Sequence, residues 1–218
     1  MMTLQIFSTT RTGHYLPYLM LALCLLFKPA LSSANEGRQT ILVIGDSLSA
    51  AYGIQRDEGW VSLLRQRLDD QVRGYDVVNA SVSGDTTRTG LGRLPAALRE
   101  HEPDIVIIAL GGNDGLRALA FDEIENSLRG MITRSRDAGA SVLLAGVRLP
   151  PNNGPAYNSL FAAIYQRLAD EYQLPLVAKM LEGVSDDGAQ MQPDGIHPVA
   201  AAQPRILDNI WRQLVSLL

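Results

Sequence analysis

The sequence holds one cysteine, Cys24, and it falls within the first 34 residues. The rest of the chain therefore has no thiolate nucleophile, no disulfide and no cysteine-bound zinc. Histidine is almost as scarce. Past residue 34 only His101 and His197 remain, which is too few for a metal site built on imidazoles. Positive charge is in deficit too, with 19 Lys and Arg against 23 Asp and Glu. A net charge of −4 argues against a nucleic-acid partner, whose phosphates call for basic patches. No apolar stretch has the length of a membrane span. The run Leu19–Phe27 (LMLALCLLF) has nine residues, where a spanning helix needs about 20.

That short run instead belongs to a leader. Residues 1–34 contain no Asp or Glu, carry Arg11 ahead of the apolar run, and end in Leu31-Ser32-Ser33-Ala34. The pattern is that of a secretory signal peptide cut after Ala34. Cys24 follows Leu23, where a lipid-attachment site would place a small residue. Removing the leader takes away Arg11 and Lys28 and no acid, so residues 35–218 carry 17 basic and 23 acidic residues, a net −6. They are expected to form a single secreted domain, most simply in a bacterial periplasm, with no stable transmembrane anchor. A chain of this length buries a sizeable core without staples.

What is present after residue 34 is a regular alternation. Thr40–Ile44, Tyr75–Ala80, Asp104–Leu110, Ser141–Val147 and Leu176–Ala178 are short apolar segments that read as strands. Between them, apolar residues recur at helical spacing, as in Trp60, Leu63, Leu64 and Leu68, or Ile124, Leu128, Met131 and Ile132. Strands alternating with helices predict α/β architecture, a parallel sheet covered on both faces. Five strands suggest a flavodoxin-like three-layer α/β/α fold with the order 2-1-3-4-5. Pro95 predicts a local irregularity, or a late start, in the helix near 88–100.

Ligands in such sheets bind beyond the carboxyl ends of the strands. Polar clusters follow the strands at Asp46-Ser47, Ser81–Asp85 and Asn113-Asp114, and in the loop 148–155 (RLPPNNGP). A hydroxyl needs a base to become a nucleophile. His101, in Glu100-His101-Glu102-Pro103, falls at the opposite edge of the sheet. His197 is the base that remains, with Asp194 three residues before it to orient its ring. The same residues also fit helix capping ahead of Pro198, and Ser47 alone also fits an N-cap. Acyl transfer further needs donors aimed at an oxyanion. Ser47 N–H, Gly84 N–H and the Asn113 amide fit that role, although Gly and Asn serve ordinary turns as well. No Gly-x-Ser-x-Gly elbow surrounds Ser47. Asp46 and Asp114 read as structural braces. Leu149, Pro150, Pro151, Asn152, Asn153 and Gly154 are expected to border an acyl-chain groove.

Four blocks, in order, carry a resemblance: Ile44-Gly45-Asp46-Ser47-Leu48-Ser49, Asn79–Thr86 (NASVSGDT), Gly111-Gly112-Asn113-Asp114 and Asp194-Gly195-Ile196-His197-Pro198. The sequence resembles the SGNH (GDSL) hydrolases, named for the Ser, Gly, Asn and His that stand here as Ser47, Gly84, Asn113 and His197. More narrowly, Ser83–Thr87, Gly111–Arg117 and Leu149–Asn152 resemble the bacterial periplasmic branch described as multifunctional acyl-CoA thioesterase, lysophospholipase and arylesterase. The resemblance implies a flavodoxin-like fold, a Ser47–His197–Asp194 triad, an oxyanion hole from Ser47, Gly84 and Asn113, and no metal or cofactor. The substrate it implies is a small acyl ester or thioester of lipid origin. Two other readings stay open on the sequence: a carbohydrate O-deacetylase of the same superfamily, and a non-catalytic secreted binding module. A phosphate site at the Gly45–Ser47 turn is disfavoured by the lack of basic residues there.

Overall fold

A computed structural model describes residues 37–72, 74–184 and 188–218, together with 1–3 and 5. The proposed leader lies outside the described residues apart from those first four. The chain divides into Met1–Glu36 and Gly37–Leu218, and among the described residues every element belongs to the second unit.

The strands are β1 (Gln39–Gly45), β2 (Tyr75–Asn79), β3 (Ile105–Ala109), β4 (Ser141–Ala145) and β5 (Leu176–Val177). The helices are α1 (Trp60–Gln71), α2 (Thr87–His101), α3 (Gly112–Leu116), α4 (Phe121–Asp137), α5 (Pro155–Tyr172) and α6 (Gln203–Leu214). All pairings in the sheet are parallel, as the strand–helix alternation predicts, and the order is β2-β1-β3-β4-β5, the flavodoxin-like order that five strands suggest.

The sheet explains why its central strands read as unbroken apolar runs. Along β1, Ile41 and Val43 face the layer of α1 and α6, meeting Leu64, Leu68, Ile206 and Ile210. Leu42 and Ile44 face the opposite layer of α2, α4 and α5, meeting Leu94, Leu128, Ile164 and Leu168. Both faces are dry, so neither alternate position is polar. Each such aliphatic side chain contributes roughly 1.5–3 kcal/mol on burial.

Local chemistry sets the helix boundaries. Thr86 caps α2, accepting from Thr89 N at 3.3 Å, while the Thr89 hydroxyl accepts from Thr86 N at 2.8 Å. Pro95 lies inside α2 without ending it. The carbonyl of Leu91, which a residue at 95 with an N–H would have bonded, faces Arg134 Nη1 at 3.5 Å instead. Buried Gln203, the first residue of α6, accepts from Trp60 N at 3.1 Å, so one helix caps the other across the core. The short α3 is the element that sequence reading missed. The Gly111–Asp114 segment reads as a turn, but it folds as one helical turn whose first bond runs from Gly115 N to Gly111 O at 2.9 Å.

β1 lies between β2 and β3, and the chain leaves it in opposite directions on the two sides. That is the switch point of a doubly wound sheet, and it opens a crevice at the carboxyl ends of β1 and β3.

Candidate active site

Ser47 stands two residues beyond β1, in a tight turn and not at a helix N-terminus. The turn is built by Asp46. Its carbonyl accepts from Ser49 N and Ala50 N at 3.1 and 2.9 Å, and its Oδ1 accepts from Leu48 N at 3.0 Å. Gly45 permits this fold-back, because a Cβ there would lie 2.7 Å from the Ser49 hydroxyl. Burial drives the Asp46 carboxyl up to about 6, against the pull of the Leu48 N–H.

The Asp194–His197 loop reaches the same crevice from the far end of the chain. Asp194 Oδ1 accepts from the backbone of Ile196 and His197 at 2.9 and 3.0 Å, and Oδ2 meets His197 Nδ1 at 2.7 Å. These bonds, that of the His197 N–H foremost, hold the Asp194 carboxyl down at about 2. Asp194 is therefore a carboxylate at neutral pH, and Nδ1 carries the proton that faces it. Nε2 is then left as an acceptor. It lies 2.8 Å from Ser47 Oγ, so the Ser47 hydroxyl donates to it. The helix-capping alternative does not match this arrangement. α6 begins at Gln203, behind a 3₁₀ turn at Ala200–Ala202, and has no side-chain cap.

The loop is braced by a residue that sequence reading passed over. Gln192 donates to Tyr52 O at 2.8 Å and Pro198 O at 3.0 Å, and its backbone N–H donates to His197 O at 2.7 Å. Tyr52 closes one side of the imidazole, its ring centroid 4.5 Å away and tilted by 39°. The only sequence signal for Tyr52 is an aromatic five residues past Ser47 in an otherwise small-residue turn.

Gly84 and Asn113 line the same cleft as Ser47. Gly84 has φ +87°, and nothing lies within 4 Å of where its side chain would be. The Asn113 amide donates to Asp85 O at 2.9 Å and faces Asp46 Oδ2 at 3.3 Å. The first of these is the stronger bond, and the second is long. Asp114 is fully buried and ties α3 to α2, accepting from Thr87 N at 2.9 Å and Thr87 Oγ1 at 2.6 Å. It braces, as expected, whereas Asp46 both braces and faces Asn113. His101 ends α2 at the amino edge of the sheet, away from all of these.

The cleft has a volume of about 340 Å³ and largely apolar walls, including Leu48, Leu116, Leu149, Met191 and Ile196. Of the loop predicted to border a groove, Leu149, Pro150 and Pro151 line it, whereas Asn152, Asn153 and Gly154 stand off its wall. Pro151–Asn153 form a 3₁₀ turn that carries the chain away to α5. Among the described residues, no group of three or more His, Cys, Asp or Glu is placed to hold a metal ion, and no helix is long and apolar enough to cross a membrane.

The sequence profile of the GDSL-like lipase/acylhydrolase family matches residues 43–203, from β1 through the His197 loop. The chain belongs to this family. Similar proteins span nearly its whole length. Esterase TesA of Pseudomonas aeruginosa is 48% identical over 92% of this chain and 98% of its own. Thioesterase 1/protease 1/lysophospholipase L1 of Escherichia coli is 43% identical over 94% and 93%. A solved structure of TesA matches with a TM-score of 0.81 and 51% identity, covering 83% of this chain and all of that one. Esterase EstA from Pseudoalteromonas, solved in a form inhibited by monoethylphosphonate, matches with a TM-score of 0.78 and 36% identity over 82% and 97%. As a GDSL-like hydrolase with esterase and thioesterase relatives at this level, the protein is an acyl-ester hydrolase.

Proposed function

We propose that Ser47 is the nucleophile of this hydrolase, His197 its base and Asp194 the group that orients and charge-balances the base. The observation that carries the reading is the unbroken line from Ser47 Oγ to His197 Nε2 at 2.8 Å and from Nδ1 to Asp194 at 2.7 Å. The Ser47 oxygen attacks the acyl carbonyl as its proton passes to Nε2. The imidazolium then gives that proton to the departing alkoxide or thiolate. Water, deprotonated by the same nitrogen, cleaves the acyl–Ser47 bond and regenerates the hydroxyl.

The oxyanion is received by Ser47 N–H, Gly84 N–H and Asn113. Asn113 keeps its bond to Asp85 O and exchanges the long 3.3 Å contact with Asp46 for the oxyanion. The triad acts on the acyl carbonyl whatever heteroatom leaves it, so oxygen esters and thioesters are both substrates, as the esterase and thioesterase names of the relatives support. Lysophospholipids and acyl-thioesters are the lipid-derived candidates, in keeping with the thioesterase and lysophospholipase named among the relatives. The acid-free, apolar segment ahead of Ala34 makes the enzyme an exported, periplasmic one.

Hydrolysis of a p-nitrophenyl ester series tests this. Ser47→Ala is expected to lower kcat by roughly 10⁴-fold or more. Wild-type turnover in that variant would overturn the assignment.

A further inference from the structure

Gly84 presents a problem of support. Its peptide carries one proposed oxyanion donor, yet no atom lies within 4 Å on the side where a side chain would be. Packing does not hold it from the front, and its own carbonyl meets only the exposed Arg117 Nη2 at 3.3 Å, so its aim depends chiefly on what grips its neighbours. The next residue, Asp85, donates its N–H to Val82 O at 3.1 Å within its own turn and is gripped twice more from other elements. Its carbonyl accepts from Asn113 Nδ2 at 2.9 Å, and its carboxylate Oδ2 accepts from Arg93 Nε at 2.5 Å.

Arg93 reaches further than this ion pair. From α2 its guanidinium also donates to Ala80 O, just past β2, and to Gly45 O at 3.2 Å, the last residue of β1 and two before Ser47. One side chain thus joins the ends of two strands to the side chain of Asp85, the residue after Gly84, and Asp85 in turn reaches Asn113 through its carbonyl. The ion pair is largely shielded, with side-chain exposures of 27% for Arg93 and 11% for Asp85. Asp46, Asp85 and Asp114 are all buried around this wall, where negative charge would oppose an oxyanion, and Arg93 places a cation among them.

We propose that Arg93 is a positioning residue for the oxyanion hole: its guanidinium fixes Gly84 N–H and the Asn113 amide relative to Ser47 without touching substrate. The role needs the planar fork of arginine. A lysine ammonium supplies charge at one point but does not span three acceptors on three segments. Displacing a donor by about 1 Å costs on the order of 10²-fold in rate, so a partly loosened wall loses about 10- to 100-fold.

The inference rests on the Ser47–His197 reading and is tested beside it. Arg93→Lys is compared with wild type and Ser47→Ala on a p-nitrophenyl ester, with active sites counted by phosphonate titration. Arg93→Lys is expected to lose about 10- to 100-fold in kcat per titrated site, with KM within about threefold, and to be phosphonylated more slowly in proportion. Wild-type kcat per titrated site, or a loss confined to KM, would overturn the proposal. Should Arg93→Lys not fold, Asp85→Asn tests the same link from its other end: a kcat loss with KM held supports it, and an unchanged kcat overturns it. A Ser47→Ala enzyme that still turns over would instead sink the underlying reading, whatever Arg93 does.

Discussion

Replacing Asp46 by Asn isolates a buried charge whose cost follows from its surroundings. Asp46 is 3% exposed, and burial lifts its carboxyl from 3.8 in a free chain to about 6 in the fold. Between those two values the native state binds a proton that the unfolded state has released. Stability from this group is therefore fully present below pH 3.8 and is lost as pH rises through 6. The gap corresponds to roughly 3 kcal/mol. Asn does not titrate, so Asp46→Asn lacks this loss, while the other acidic groups are common to both proteins and cancel in the difference. Urea denaturation of the pair from pH 3.5 to 7.5 reads it out. The stability of the variant relative to wild type is expected to climb by about 3 kcal/mol across that range, a shift of about 1 M or more in midpoint at ordinary slopes. A difference that stays level with pH would show that Asp46 ionises as freely in the fold as outside it, and the reasoning would fail.

Gly111→Ala should lower Tm by roughly 6–12 °C. Its backbone has φ +120°, and a Cβ would fall 1.9 Å from the Tyr165 hydroxyl, itself anchored on Leu110 O at 2.7 Å. Strain and overpacking together then cost about 3 kcal/mol, and an unshifted melting curve would contradict this. Asn113→Ala is expected to lower kcat by about 10²–10³ with little change in KM, and steady-state kinetics on one short ester decides it. Asp194→Asn should cost about 10⁴ in kcat by releasing the tautomer of His197. In the wild type the Asp194 charge contributes stability above its free value of 3.8 and loses it only as pH falls through about 2.

The sheet was legible because its central strands obey one rule: buried on both faces, they read as apolar runs such as Ile105–Ala109, whereas the edge strand β2 exposes Asp76 and Asn79. The polar residues following those runs then had to sit at the carboxyl edge, which is how Ser47, Gly84 and Asn113 could be grouped before any geometry. His197 was found by scarcity, since His101 belongs to the other edge. What the sequence hid was local and cooperative. Helix α3 is five residues long and glycine-rich, too short for periodicity to register, and it is held by Asp114 reaching across to Thr87. Pro95 suggested a local irregularity or a late helix start, yet α2 begins at Thr87 and runs through it. Gln192, Tyr52 and Arg93 act through contacts 140, 145 and 48 positions away along the chain, which no spacing pattern encodes. The tip Asn152–Gly154 was grouped with the groove as part of the loop 148–155 that follows β4, but a 3₁₀ turn directs it to the start of α5.

The central claim is that the hydroxyl of Ser47 is activated by the imidazole it donates to. The most direct measurement is covalent: a fluorophosphonate probe is incubated with the folded protein, and the modified residue is located by peptide mass spectrometry. One equivalent on Ser47, with labelling slowed by orders of magnitude in His197→Gln, is the predicted result. Label on another residue, or equal labelling rates with and without His197, would contradict the account.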